Sequence, residues 1–598
     1  MDMNESFLNS EQAAMLAGSG NRRGSITQLG VQVPRLTRSG SLSSEDDTLL
    51  SNESFHNYGS TAQENYVQSR RFSMLSSKLT TLNLVPSRTN DEGQVMEVET
   101  SLKTEMKMLT KSSVPLIITF LLQYSLTVAS VFSVGNLGSQ ELAAVSLSNL
   151  LANISSYGII QGIASSLSTL CPQAFGRKDY KAVGMHALRC TMLLFIIYIP
   201  IFAFWFWGSY PMLIALIPDP KLCDLASRYL RTLIFGVPGF IIFEVLKQFL
   251  QAQGIFQAST YVLVICAPLN VVLNYTLVWN KTFGLGFIGA PTAVVITNWC
   301  MALMLLGYTC FVRGYECWCG FSKDVFKHWK RALVLAGPGV MMIEAEWLAF
   351  EIISFASSRF GTVALASQSV VSTTCVTIYQ VPFAISVAAS TRIAWFIGSA
   401  SKNAAIKATH SALLVGVVFG LMNAAILAIF RRSIAGLFSQ DPDVIDLASR
   451  VLIIGAIYQV NDVLSCVTGG VLRGQGRQYI GGWLNLISYY LLALPVAFFC
   501  AFALNMQLFG LWIGMVIALT FVSTSQGYFV LTSDWDSIIK QSIEDGMAEN
   551  YAPAATDSED NLLRPSKSIS SMIVDHNLLS PTISISGTEI GTITNLNL

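Results

Sequence analysis

Twelve mostly apolar stretches of roughly 20 residues run along this chain, each closed by polar, Gly or Pro residues. They fall near 114–135, 142–168, 184–207, 226–250, 258–279, 287–312, 330–357, 364–390, 406–430, 447–471, 479–503 and 508–531. An α-helix needs that length to cross the hydrocarbon core of a bilayer. The pattern predicts an all-α polytopic membrane protein with twelve transmembrane helices. Basic residues weight the loops after even-numbered helices: Arg177, Lys178, Lys181 and Arg189; Arg313, Lys323, Lys327, Lys330 and Arg331; Arg392, Lys402 and Lys407; Arg473 and Arg477. Basic loops are retained on the cytoplasmic side, so both chain ends are expected there.

The pattern also repeats. DPKLCDLASRYL from Asp219 returns as DPDVIDLASRVL from Asp441, an offset of 222 residues. Gln253-Gly254 and Gln475-Gly476 keep that offset, as do Gly176 and Gly398. The chain therefore reads as two homologous six-helix lobes. An even number of helices per half gives both lobes the same orientation, with a site expected near the midplane and lobe rocking as the mechanism. The expected organisation is a disordered cytoplasmic tail over 1–104, one lobe over 105–317, the second over 318–533, and a disordered tail over 534–598.

Composition agrees: 52% of residues are hydrophobic and 12% charged, against about 25% charged in soluble proteins. The formal net charge is zero and no basic stripe carries interleaved aromatics, so no nucleic-acid partner is expected. The first hundred residues hold sixteen serines and no apolar run fit for a core. They begin without a charged-then-apolar leader, leaving the first helix to direct insertion. Eleven cysteines are scattered singly except Cys317 and Cys319 with His328 nearby, a set that predicts no zinc site and no metal or cofactor. No phosphate-cradling loop, HExxH or paired intramembrane His is present, which argues against an enzyme. Short matches to kinase sites at Ser25 and Ser73, and an acidic dileucine pattern from Glu45 to Leu50, point to kinases and sorting adaptors as tail partners. They favour a vacuolar membrane, with the plasma membrane as the alternative. Asn280-Lys281-Thr282 matches a glycosylation site in an outward loop. A monomer is expected.

One stretch stands against the apolar background: MMIEAEWLAFEI, Met341 to Ile352, carries Glu344, Glu346 and Glu351. A charge at the membrane centre costs about 2.5–3.5 kcal/mol on insertion scales. At 100° per residue Glu344 and Glu351 share a face, whereas Glu346 is turned about 200° from Glu344. All three cannot face one narrow cavity. A carboxyl withdrawn from water can hold a proton, because desolvation penalises the charged form. A bound cation favours that charged form, so cargo and proton compete for one group. Polar and aromatic side chains in the runs are candidate cargo contacts, and a Trp or Tyr face attracts an organic cation. Glu244, with Lys247 and Gln248 one turn away, reads as a local ion pair.

The runs LSTLCPQAFGRKDYKAVG (167–184), LKQFLQAQGIFQ (246–257), EWLAFEI (346–352), PFAISVAASTRIAWFIGSASKNAA (382–405) and GGVLRGQGRQ (469–478) resemble the multidrug and toxic compound extrusion (MATE) family, eukaryotic branch. The resemblance covers about residues 105–535 in order. It implies a secondary antiporter that expels small organic, often cationic compounds against an inward gradient, usually of protons in eukaryotic members. It also implies roles for residues. Glu346 and Glu351 match the acidic positions of the family's Glu-Trp-x-x-x-Glu pattern, and Asp462 matches an acidic position in helix ten. Glu346 and Asp462 are the expected exchanging pair, with Glu351 supporting. Asn153 matches a polar cavity position, and Gln123, Trp347, Tyr379 and Gln380 are further candidates for cargo contact. Glu344 lies outside the family pattern and is expected at a rim, or else as an added cation site. Two departures matter: Ser168 and Pro172 replace an acid and a glycine, and the first helix lacks the Asp that some bacterial relatives place there, with Gln123 in that region. Both move the coupling chemistry into the second lobe and disfavour sodium. A lipid-type flippase, sodium-coupled export and a transporter-like sensor remain alternatives.

Overall fold

The computed structural model describes residues 98–551, apart from 136, 218, 281–283 and 321–322. The kinase and sorting matches, and Lys281-Thr282 of the glycosylation match, lie outside the described residues. Among the described residues, twelve helices are long and apolar enough to cross a membrane. They are α1 (Leu102–Gly135), α2 (Gln140–Gly176), α3 (Tyr180–Ala215), α4 (Pro220–Ala252), α5 (Gln257–Trp279) and α6 (Gly286–Phe311). Then follow α7 (Lys330–Phe360), α8 (Thr362–Gly398), α9 (Lys402–Phe438), α10 (Pro442–Gly474), α11 (Gln478–Ala503) and α12 (Gln507–Leu531).

All twelve expected spans fall on these helices, but several helices outrun the apolar stretch. Helix α1 begins twelve residues before 114, because Glu105 there is buried to 1% and paired with Arg392. Arg392 and Arg473 read as loop cations in the sequence, yet both sit in the last turns of α8 and α10. Hydropathy marks the length in contact with hydrocarbon. It is silent on turns that continue into the polar zone.

The repeat reappears as matched geometry. Asp219 and Asp441 each cap their helix, accepting from the backbone N–H of Lys221 and of Asp443 at 3.0 Å, and each is followed by Pro at the first helical position. Gly254 and Gly476, one offset apart, both turn the chain at positive φ, 78° and 74°. Each half packs its own apolar core. One draws mainly on α1–α6 around Trp205, Tyr229 and Phe243, the other on α7–α12 around Tyr458, Tyr489 and Trp512.

The lobes meet through α1 and α2 on one side and α7, α8 and α9 on the other. Small residues bring the helices together, as membrane interfaces require. Gly176 lies against the Trp395 carbonyl, and Gly398 lies against the Gln173 carbonyl. Positions 173 and 395, like 176 and 398, are one 222-residue offset apart, so this is a reciprocal contact across the pseudo-axis. Pairing expected from the duplication is thus visible residue by residue.

The folded body does not end at 533. A thirteenth helix, α13 (Trp535–Tyr551), follows α12, where a disordered tail is expected from the sequence. Its apolar residues Trp535, Ile538 and Ile539 are too few for a span, but they are buried against Ile393, Phe396, Ile397 and Ala404. None of the eleven cysteines is joined in a disulfide, and burial pushes the Cys317 thiol, in the α6–α7 connection, well above its usual range.

Candidate functional site

Helix α7 carries its three carboxylates in the arrangement the wheel dictates. Glu346 points into the second lobe, and Glu344 points at α2 of the first. Glu351, five residues beyond Glu346, is half-buried. Helix α10 supplies Asp462, which is 2% exposed. Glu346 and Asp462 come close enough for their charges to act on one another, and the Arg473 charge acts on Glu346. Both carboxyls also act on Tyr379 of α8, Tyr458 of α10 and Tyr489 of α11, of which the last two are nearly inaccessible. Tyr379 accepts a weak bond from the Cys466 thiol at 3.8 Å and stacks on Phe383 at 5.8 Å.

The elements that hold this pair are themselves tied down. Asn485 of α11 donates to the Met342 carbonyl of α7 (3.1 Å), Gln526 of α12 donates to Asn485 (3.1 Å), and Thr468 of α10 donates to Gln526 (2.9 Å). This polar relay crosses four helices with each amide satisfied, which fixes the rotation of α7 and hence the aim of Glu346. Trp512 donates to Gln368 at 2.8 Å and packs edge-on against Tyr458, walling the site on the lobe's far side.

The other sequence candidates scatter. Gln123 accepts from the Lys247 ammonium at 3.3 Å, within the first lobe. Lys247 is paired with Glu244 at 2.7 Å, with the two side chains 3% and 5% exposed, and its ammonium lies 5.0 Å over the Phe120 ring. The local ion pair read from the sequence is therefore present and fully withdrawn from water. Gln380 donates to the Val376 carbonyl of its own helix at 3.0 Å. Trp347, next to Glu346, is half-buried on α7. Asn153 opens a five-residue π-helical turn in α2, Asn153–Tyr157, the kind of local widening that recurs at functional sites. The sequence reading missed Arg473, Tyr458 and Tyr489. Tyr458 could have been found, since it precedes Asp462 by one helical turn.

Bonds joining the lobes gather at the ends that bear the basic loops. Gln173 of α2 donates to the Gly474 carbonyl (3.1 Å), and Gln478 of α11 donates to the Ser165 carbonyl (3.3 Å). Trp395 of α8 donates to the Ala252 carbonyl of α4 at 2.7 Å. Arg392 grips both oxygens of Glu105 at 2.9 Å and lies over the Phe396 ring at 4.6 Å. Helix α13 is drawn in as well: Arg177 of the first lobe donates to Ser542 (3.1 Å), and Ser542 donates to Gln173 (3.1 Å). The lobes are thus bonded directly to one another at the basic end. Among the described residues, no group of three or more His, Cys, Asp or Glu could hold a metal.

Comparisons with known proteins agree with this fold. The MatE family model matches twice, over residues 115–276 and 338–499, once in each lobe. An uncharacterised transporter of Saccharomyces cerevisiae is 44% identical over 466 residues, covering 77% of this chain and 67% of its own. Multidrug and toxin extrusion protein 1 of Homo sapiens is 30% identical, covering 72% of this chain and 75% of its own. The crystal structure of the eukaryotic MATE transporter AtDTX14 superposes with a TM-score of 0.70 at 27% identity, covering 74% of this chain and 99% of that one. The chain belongs to the MatE family and is a eukaryotic multidrug and toxin extrusion-type membrane transporter.

Proposed function

We propose that this protein is a secondary antiporter that exports organic, mostly cationic xenobiotics or metabolites in exchange for protons, by alternating access. The observation that carries the reading is the approach of Glu346 and the buried Asp462 within one lobe, near enough for their charges to act on one another and on Tyr379, Tyr458 and Tyr489. Two carboxyls that feel each other's charge resist being ionised together, so the pair holds a proton. Arrival of a positive cargo favours ionisation and releases that proton. Departure of the cargo invites another. Coupling then follows from competition and needs no further device.

Sodium is disfavoured because, in the first lobe, Gln123 stands in α1 and the buried Glu244 is held by Lys247. The basic loops support a cytoplasmic placement for the end at which the lobes are bonded together. The human and mouse relatives are named for multidrug and toxin extrusion, in keeping with this cargo class. A vacuolar membrane is the preferred address, and residues 105–317 and 318–533 are the preferred lobe limits.

The test reconstitutes the purified protein into vesicles, imposes a pH gradient and follows a fluorescent organic cation. Uptake should require the gradient and collapse with a protonophore. Uptake that follows a sodium gradient at equal pH, or none across a broad panel of organic cations, would sink the reading.

A further inference from the structure

A cavity of about 300 Å³ lies at the end of the molecule that bears the basic loops, and the transport reading makes no use of it. Its walls are the start of α7, the turn between α10 and α11, and the start of α13. Two guanidinium groups line it, Arg331 of α7 and Arg477 of the turn. Gly476 bends the chain there at a φ of 74°, and the place a Cβ would take on it lies 3.5 Å from an Arg331 terminal nitrogen. The turn thus sets two cations side by side.

The nearby acids are already engaged. Asp545 pairs with Arg331 at 2.8 Å, and the buried Nε of Arg331 has no hydrogen-bond partner among the described residues. Asp534, the one carboxylate in the lining, accepts the backbone N–H of Ser537 at 3.4 Å where α13 begins. Arg477 donates one N–H to the Ser533 hydroxyl at 3.2 Å and belongs to no ion pair among the described residues. An arginine with N–H groups to spare suits a phosphate, which its planar fork can hold through two parallel bonds.

The same cavity reaches the side of the molecule that faces lipid. Val334 and Tyr479 of its lining are exposed on spanning helices, and so is Trp483, one turn beyond Tyr479 on α11. Exposed Tyr and Trp near the end of a span mark the boundary between headgroups and chains. A basic pocket between spans at that level is a place for a phospholipid headgroup, whereas a free phosphate would leave the apolar rim unused.

We propose that this cavity holds the phosphodiester of a glycerophospholipid, with Arg477 and Arg331 on the phosphate and the acyl chains beside Val334, Tyr479 and Trp483. The inference goes beyond the transport reading and does not rest on it. Because α13 forms one wall, an occupied cavity also fastens that helix to α7 and α11.

The test titrates delipidated full-length protein in neutral detergent with dioleoylphosphatidylglycerol and counts bound lipid by native mass spectrometry. Arg477→Gln should weaken the tightest-bound lipid about tenfold or more, the scale of a charge-assisted contact, and Arg477→Lys should lose less. Ser537→Asp adds a carboxylate to the lining in the first turn of α13, where a helix accepts one. It should weaken the lipid while leaving the unfolding midpoint of the lipid-free protein unchanged. Dioleoylglycerol, which has chains and no phosphate, and inorganic phosphate, which has no chains, should each compete poorly. Lipid should slow hydrogen exchange at the start of α13 in the wild type and not in Arg477→Gln. Wild-type lipid affinity in both Arg477→Gln and Ser537→Asp would overturn the proposal. So would displacement of the lipid by inorganic phosphate at equal concentration, or binding of dioleoylglycerol as tight as that of the phospholipid.

Discussion

Gln123 in the first lobe and Glu346 in the second occupy matching places when the halves are aligned on Pro115 and Pro338, where the two family matches begin. By the 222-residue offset, Phe240 of α4 stands opposite Asp462 of α10. The first lobe thus offers an amide and a phenyl ring where the second offers two carboxyls. Its buried acids are both paired, Glu105 with Arg392 and Glu244 with Lys247, whose ammonium also donates to Gln123. A closed ion pair gives up a proton only by stranding its partner's charge in a medium of low dielectric. Duplication produced two similar shells, and the difference in what each buries suits one for exchange and the other for support.

Making the second lobe resemble the first should have the largest effect. Glu346→Gln is expected to reduce gradient-driven uptake to the level of protein-free vesicles, with Asp462→Asn doing the same and both proteins remaining folded in detergent. Wild-type uptake in both would remove the distinction between the lobes. The next largest effect lies in the first lobe and is on stability. Lys247→Ala leaves Glu244 buried alone, a loss of about 3–5 kcal/mol, seen as a lower melting temperature. The double variant Glu244→Gln/Lys247→Met should recover most of that loss and still transport. If it abolished uptake as fully as Glu346→Gln, the first lobe would be part of the exchange.

Much of this contrast was legible in the sequence, for reasons that also explain what was not. Twelve spans follow from the cost of polar groups in hydrocarbon, and the duplication from residues at one spacing. The separation of Glu346 from Glu344 follows from helical pitch alone. That Asp462 meets Glu346 required the family resemblance, since packing between α7 and α10 leaves no local mark. Arg392 and Arg473 were misplaced because a cation near a helix end looks the same whether it faces water or folds inward onto Glu105 or Ser386. Helix α13 was missed because its few apolar residues matter only once the surface they cover exists.

The reciprocal glycines offer a finer test of equivalence. An added methyl at Gly176 would strike the Trp395 carbonyl, and one at Gly398 the Gln173 carbonyl. Overpacking of this kind costs about 1–3 kcal/mol. Gly176→Ala and Gly398→Ala should lower the melting temperature by similar amounts. A large inequality would show that the pseudo-axis does not divide the load evenly.

The smallest expected effect concerns an element that only the second lobe owns. Helix α13 reaches back to the first lobe through Ser542 and pairs Asp545 with Arg331 at 2.8 Å, while α6 is followed by no comparable helix among the described residues. The Arg331–Asp545 side chains are 24% and 37% exposed, so water screens them and the pair is worth no more than about 1 kcal/mol. Ser542 is 2% exposed and both donates and accepts across the junction, so losing its hydroxyl should cost slightly more, about 0.5–1.5 kcal/mol. Hydrogen exchange of α13 reads such energies directly, because local opening scales with the free energy of the contacts that hold it. Ser542→Ala should speed exchange across α13 more than Asp545→Asn does, and neither should alter exchange in α4 of the first lobe. Unchanged exchange in both variants would mean that α13 is held by its apolar face alone, through Trp535, Ile538 and Ile539, and that its polar contacts with the first lobe carry no load.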